Sequence, residues 1–185
     1  MLRWLYLLLA CWSGAVFADE AVRICHGYGC DHEVLVRFTE GQLGQIRRMM
    51  YAATDAATER GVLAVAIGRL YGWGGEQSDI HNDRGGNYAD DNVEGKMDCI
   101  DHSTSTTRLL RLLALRGYLR WHLVQEPQSR NFAGIVPIHW SAVIEEKNQE
   151  GELRRFVVDS WFVDNGQPAV ILPLDEWKKG AGPDV

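Results

Sequence analysis

The apolar pattern of this chain changes period once, and that change limits the folds open to it. After Thr39, apolar residues recur at helical spacing: Ile46, Met49, Met50, Ala53, Ala56 and Ala57, then Leu63, Ala66, Ile67 and Leu70. A second helix is predicted over residues 103–116, carrying Leu109, Leu110, Leu112, Leu113 and Leu115 and closed by Gly117. Beyond it the alternation is strand-like, with strands predicted over 118–125, 134–145, 152–162 and 169–172 and Gly151 in a turn. Helices first and antiparallel strands afterwards predict an α+β fold with helices packed on a sheet.

Smaller signals fill in the first half. Residues 19–38 read as an extended piece, with a strand over 34–38. Thr39 and Gln42 form a capping-box pattern, and Gly61 is where the helical stretch 39–71 is expected to break or bend. Residues 72–96 are rich in Gly, Asn and Asp and read as a long surface loop, a kind of segment that often carries function.

The first eighteen residues read as a targeting segment. Arg3 is the positive end, an apolar run follows, and Val16-Phe17-Ala18 offers a cleavage site before Asp19. Leu8-Leu9-Ala10-Cys11 also has the form of a lipobox, the alternative route of processing. Either way the mature chain, residues 19–185 as one domain, is expected outside the cytoplasm, periplasmic or secreted, with no membrane span. A net charge of −6 and the lack of a basic tract argue against nucleic acid as a partner.

Export makes the cysteines informative. Cys25, Cys30 and Cys99 remain after Cys11, an odd number for an oxidising compartment. Cys25 and Cys30 sit in Cys-His-Gly-Tyr-Gly-Cys, where a local disulfide is the expected reading and metal capture by Cys25, His26, Cys30 and His32 is the alternative. A disulfide leaves Cys99 alone, at the point where the polar loop runs into an apolar helix. A thiol there feels the positive helix end, which favours the reactive thiolate.

Two further residues fit the same chemistry. His139 lies in one predicted strand. Asp159 lies in Phe156-Val157-Val158-Asp159-Ser160-Trp161-Phe162, where a carboxylate is costly to bury without a partner. A histidine on a neighbouring strand is the natural partner. The set Cys99, His139 and Asp159 then reads as nucleophile, base and orienting carboxylate. His102, one helical turn from Cys99, is the runner-up base, while His81 and His122 show no partner in the sequence. Trp73, Trp121, Trp140, Trp161 and Trp177 are many tryptophans for this length, and Trp140 and Trp161 flank the proposed base and orienter.

The motifs Asp98-Cys99-Ile100-Asp101, His139-Trp140-Ser141-Ala142-Val143 and Val158-Asp159-Ser160 resemble, in order and spacing, those of the bacterial transglutaminase-like cysteine peptidases. The resemblance covers about residues 95 to 165. It implies a papain-like transglutaminase core, a periplasmic location, a protein or peptide substrate and thiol-dependent cleavage or transfer at an amide bond, with no cofactor required. Ile100 stands where that family has an acidic residue, and its His-Ala-Val stretch is expanded here. Related peptidases can bind calcium beside the nucleophile. Here Asp90, Asn92, Glu94, Asp98 and Asp101, with Gly95 at a sharp turn, approach the spacing of a calcium loop, against the plainer reading of a solvated acidic loop. Two other functions stay open: a non-catalytic binding domain, and an envelope protein stabilised by metal at the N-terminal Cys/His cluster.

Overall fold

The computed structural model describes residues 19–86, 93–131, 138–147 and 151–183. It is an α+β arrangement with two antiparallel sheets. Strands β1 (Glu20–His26) and β2 (His32–Phe38) form a hairpin with Cys25 opposite Glu33. Helix α1 (Glu40–Tyr51) opens on the expected capping box. The Thr39 hydroxyl accepts from the Gln42 N–H, and the Gln42 side chain accepts from the Thr39 N–H.

The helical stretch does break, but not at Gly61. It breaks after α1, because Asp55 and Thr58 form a second capping box and start helix α2 (Ala56–Gly75). Gly61 lies inside α2 on its exposed side, with open space around it. Gly68 is the glycine that matters on this helix. A side chain there would run into the Gln167 carbonyl, so its absence lets the loop after the last long strand lie on α2.

The described part of 72–96 is less loop-like than its composition suggests. α2 runs to Gly75, a short 3-10 helix covers Asp79–Asn82, and Ile80, Asp83 and Lys96 are buried. The Asp83 carboxylate accepts from the Met97 N–H at 3.0 Å, so a polar side chain here serves as an internal backbone partner. Gly95 adopts φ +83°, and a Cβ would overlap the Asp79 carbonyl. Gly95→Ala is therefore expected to cost roughly 2 kcal/mol or more of stability, read as a lower denaturant midpoint at unchanged slope.

Helix α3 (Cys99–Leu115) begins four residues before the predicted start, because Asp98 caps it. It closes at Gly117, φ +68°, as the sequence suggests. Strands β3 (His122–Arg130), β4 (His139–Lys147), β5 (Leu153–Asp159) and β6 (Val170–Pro173) then form a meander in that order, a few residues later at β3 and β4 than predicted. Pro127 lies where the β3–β4 register shifts between Gln125 and Gln128, a place where a missing N–H does no harm. A last short helix, α4 (Leu174–Lys178), has no counterpart in the sequence reading.

The sheet has two covered faces. Ala142, Ile144, Phe156 and Val158 join the main core with Leu109, Leu110 and Leu113 of α3. Val143 and Val157 point the other way and pack with Leu174 and Trp177 of α4. Strand alternation puts His139 and Asp159 on this second face.

A polar cluster joins α2 to the sheet. The buried Glu59 carboxylate accepts from the N–H groups of Arg120 (2.8 Å) and Trp121 (3.1 Å) and from His122 Nδ1 (2.8 Å). The other His122 nitrogen meets Glu146 at 3.2 Å, and Arg60 pairs with Glu146. Burial pushes the Glu59 carboxyl up. The His122 hydrogen bond and the two backbone donors more than offset this and hold it below its ordinary value.

Candidate active site

Cys99 is the first residue of α3. Its turn is fixed by two carboxylates: Asp98 accepts from the N–H groups of Ile100 (2.9 Å) and Asp101 (2.8 Å), and Asp101 accepts from the Asp98 N–H (3.1 Å). Cys99 is the free cysteine among the described residues and is partly buried. Its sulfur donates to the Ile138 carbonyl at 3.7 Å and receives the Trp140 N–H. These groups lie in the chain on either side of His139.

The thiol is not the ready thiolate that a helix start suggests. Burial pushes it up, the Trp140 N–H pulls it down, and the Asp98 and Asp159 charges push it up further. The helix end loses to desolvation and two nearby carboxylates.

His139 and Asp159 meet as the sequence suggests. His139 Nε2 lies 2.8 Å from Asp159 Oδ2, with both residues buried. The imidazole packs among aromatic rings, with centroids at 4.8 Å from Trp161, 5.5 Å from Phe162 and 5.6 Å from Trp177. The Trp177 indole donates to the same Asp159 oxygen at 3.0 Å, and the Trp161 N–H reaches Oδ1 at 3.3 Å. Trp161 thus packs against the His139 imidazole, whereas Trp140 is 38% exposed. Leu174 and Trp177, one turn apart behind Pro173, were the local hint of the helix that brings in this third partner.

Cys99 and His139 approach from different sides. The body of α3 lies on one face of the sheet and the His139 side chain on the other. His139 is the first residue of β4, however, and pairs with Arg130, the last residue of β3. Among the described residues this is the last pair of the β3–β4 ladder. The structure thus joins His139 to Asp159 directly and brings Cys99 to the backbone beside His139, with its thiol hydrogen on a carbonyl.

The other histidines do have partners. His102 is buried, with Nδ1 2.8 Å from Ser160 Oγ and Nε2 3.0 Å from Asp83 Oδ2. Ser160 also meets Thr106, which meets Tyr71. With both nitrogens taken, His102 is not placed as a base for Cys99. His122 lies between Glu59 and Glu146, and the exposed His81 bonds the Ser78 carbonyl.

Cys25 and Cys30 are joined as a disulfide, with Cα atoms 4.7 Å apart. Asp101 lies close enough to them to suggest a ligand cluster, but joined sulfurs are not thiolate ligands. His26 and His32 have ring centroids 5.6 Å apart. Of the calcium-loop residues, Asp98 and Asp101 are turned to backbone N–H groups and Glu94 is exposed, its carbonyl accepting from Asn82. Asp90 and Asn92 lie outside the described residues, as do the targeting segment and Cys11. Among the described residues no helix is long and apolar enough to cross a membrane.

Burial, with the Asp98 charge beside it, pushes the Asp101 carboxyl up to about 6. A carboxyl raised on folding holds its proton more tightly in the native state. Its contribution to stability is therefore full below the unfolded value and falls as pH rises through about 6. Thermal melts of wild type and Asp101→Asn, which cannot titrate here, should show wild type gaining relative to the variant as the solution is acidified from neutral towards about pH 4.5. A pH-independent difference would contradict this. No family model, no curated protein and no solved structure matches this chain.

Proposed function

We propose that the protein is an exported thiol-dependent hydrolase or acyl-transferase acting on amide bonds, with Cys99 as nucleophile, His139 as base and Asp159 as orienting carboxylate. The observation that carries this reading is the buried 2.8 Å bond between His139 Nε2 and Asp159, with the Cys99 sulfur against the backbone on either side of His139. With Nε2 held by Asp159, Nδ1 is the nitrogen that takes the thiol proton. Rotation of the thiol from the Ile138 carbonyl towards the ring starts the reaction. Because the resting sulfur is a protonated thiol, the base acts during attack and not before it. The thiolate adds to the amide carbonyl, His139 returns the proton to the leaving amine, and water or a second amine releases the acyl group. In this reading the Cys99 backbone N–H, at the helix start, steadies the oxyanion.

Helices followed by an antiparallel meander, a cysteine opening a helix, a histidine opening β4 and an aspartate closing β5 support a papain-like core of the transglutaminase-like kind. The Cys25–Cys30 disulfide supports an oxidising compartment. The second reading, a binding domain with an idle thiol, draws on the thiol's bond to the Ile138 carbonyl and its raised pKa. A peptidyl vinyl sulfone separates the two. The hydrolase reading expects one adduct, on Cys99, lost in His139→Ala; an unmodified protein after prolonged incubation favours the binding domain.

A further inference from the structure

We infer that the disulfide-closed turn of the β1–β2 hairpin is a positioning element for Cys99, holding the start of α3 from outside. Four consecutive residues, Gly27, Tyr28, Gly29 and Cys30, all have left-handed backbone, with φ of 83°, 66°, 69° and 60°. Tyr28 and Cys30 are not glycine, and such a conformation persists only where its surroundings over-determine it. Here they do. The Cys25–Cys30 disulfide closes the turn, and each of its four N–H groups lands on the segment around the nucleophile. Gly27 donates to the Lys96 carbonyl at 2.8 Å, Tyr28 to Asp101 Oδ2 at 2.9 Å, Gly29 to Asp98 Oδ2 at 3.0 Å and Cys30 to Asp101 Oδ1 at 2.6 Å. One turn further along the helix, Ser105 Oγ accepts from the Cys25 N–H at 2.8 Å.

The same two carboxylates thus have two tasks. Asp98 and Asp101 close the capping box around Cys99, and they also take three N–H groups of the clasp. Clasp and helix start hold each other, which fixes the direction in which α3 offers its first side chain. The consequence for catalysis rests on the reading of Cys99 as nucleophile. The clasp itself does not.

Two variants test it without turnover. Cys25→Ala with Cys30→Ala removes the closure. Asp101→Asn keeps the disulfide but turns an amide NH₂ towards at least one of the three N–H groups that the carboxylate accepts, those of Tyr28, Cys30 and Asp98. In both, the amides of Ile100 and Asp101 are expected to exchange with solvent at least about tenfold faster, while those of β4 and β5 keep their protection. The labelling midpoint of Cys99 should fall by about one pH unit as the burial that lifts its thiol is relieved. A purely structural role would speed exchange throughout the sheet and leave that midpoint in place, and this outcome overturns the inference. So does unchanged exchange at Ile100 and Asp101. Should the double alanine variant fail to fold, Asp101→Asn decides. A Cys99 that proves catalytically inert would sink the proposed function and leave this result standing.

Discussion

Cys99→Ser is expected to lower amide-bond turnover by at least about a thousandfold, and adding His139→Ala to it should lower turnover little further. In the proposed mechanism the two residues act in one step. Once the nucleophile is gone, the base has no proton to take. Asp159→Asn should cost less, because Trp177 and the aromatic packing still hold the ring while the carboxylate charge is lost. His102→Ala tests the assignment from the other side. It should leave the pH profile of turnover unchanged while lowering stability, since it strips Asp83 and Ser160 of their shared partner. Independent, multiplying losses for Cys99 and His139 would mean that they do not work as a pair. Purified variants with matched far-ultraviolet spectra are the material for the comparison.

The largest stability loss is expected at Glu59, far from the thiol. Glu59→Ala leaves two backbone N–H groups and His122 Nδ1 buried without an acceptor, and should cost about 3–5 kcal/mol in denaturant unfolding. Glu59→Gln keeps one acceptor oxygen and should cost less. The pH dependence has a definite sign. Glu59 is held below its ordinary value, so its contribution is present above the unfolded carboxylate value and is lost as pH falls through the lower folded one. Wild type should therefore lose stability on acidification relative to Glu59→Gln, opposite to the trend expected at Asp101. A Glu59→Ala protein as stable as wild type would show that the cluster stands without its central carboxylate.

Local patterns carried much of this fold. The change of period separated the helices from the meander. Thr39 with Gln42 marked one helix start, because threonine followed three residues later by glutamine is a common pair. Asp55 with Thr58 and Asp98 with Asp101 do the same work with less usual partners, so the α1–α2 break and the true start of α3 were misplaced. Asp159 pointed to a histidine partner because an aspartate among valines and aromatics needs one, and His139 supplies it. What stayed hidden depends on long-range encounters. His102 with Asp83 and Ser160, His122 with Glu59 and Glu146, and Trp177 with Asp159 are pairs that no local spacing encodes. The clasp is another case: the sequence suggested the disulfide but not that the turn it closes would grip Asp98 and Asp101. The thiol's raised pKa likewise follows from burial and from the charges of Asp98 and Asp159, which only the fold brings near it.

The central claim is that His139 activates Cys99, and the most direct measurement is the rate at which an activated ester acylates Cys99 in wild type and in His139→Ala, read as the mass of the Cys99 peptide. The account predicts a single acyl group on Cys99 in wild type and a rate about 100-fold to 10,000-fold lower in the variant, the usual worth of a placed general base. Equal rates in the two proteins would show that Cys99 reacts as an ordinary thiol and that the His139 imidazole is not its base.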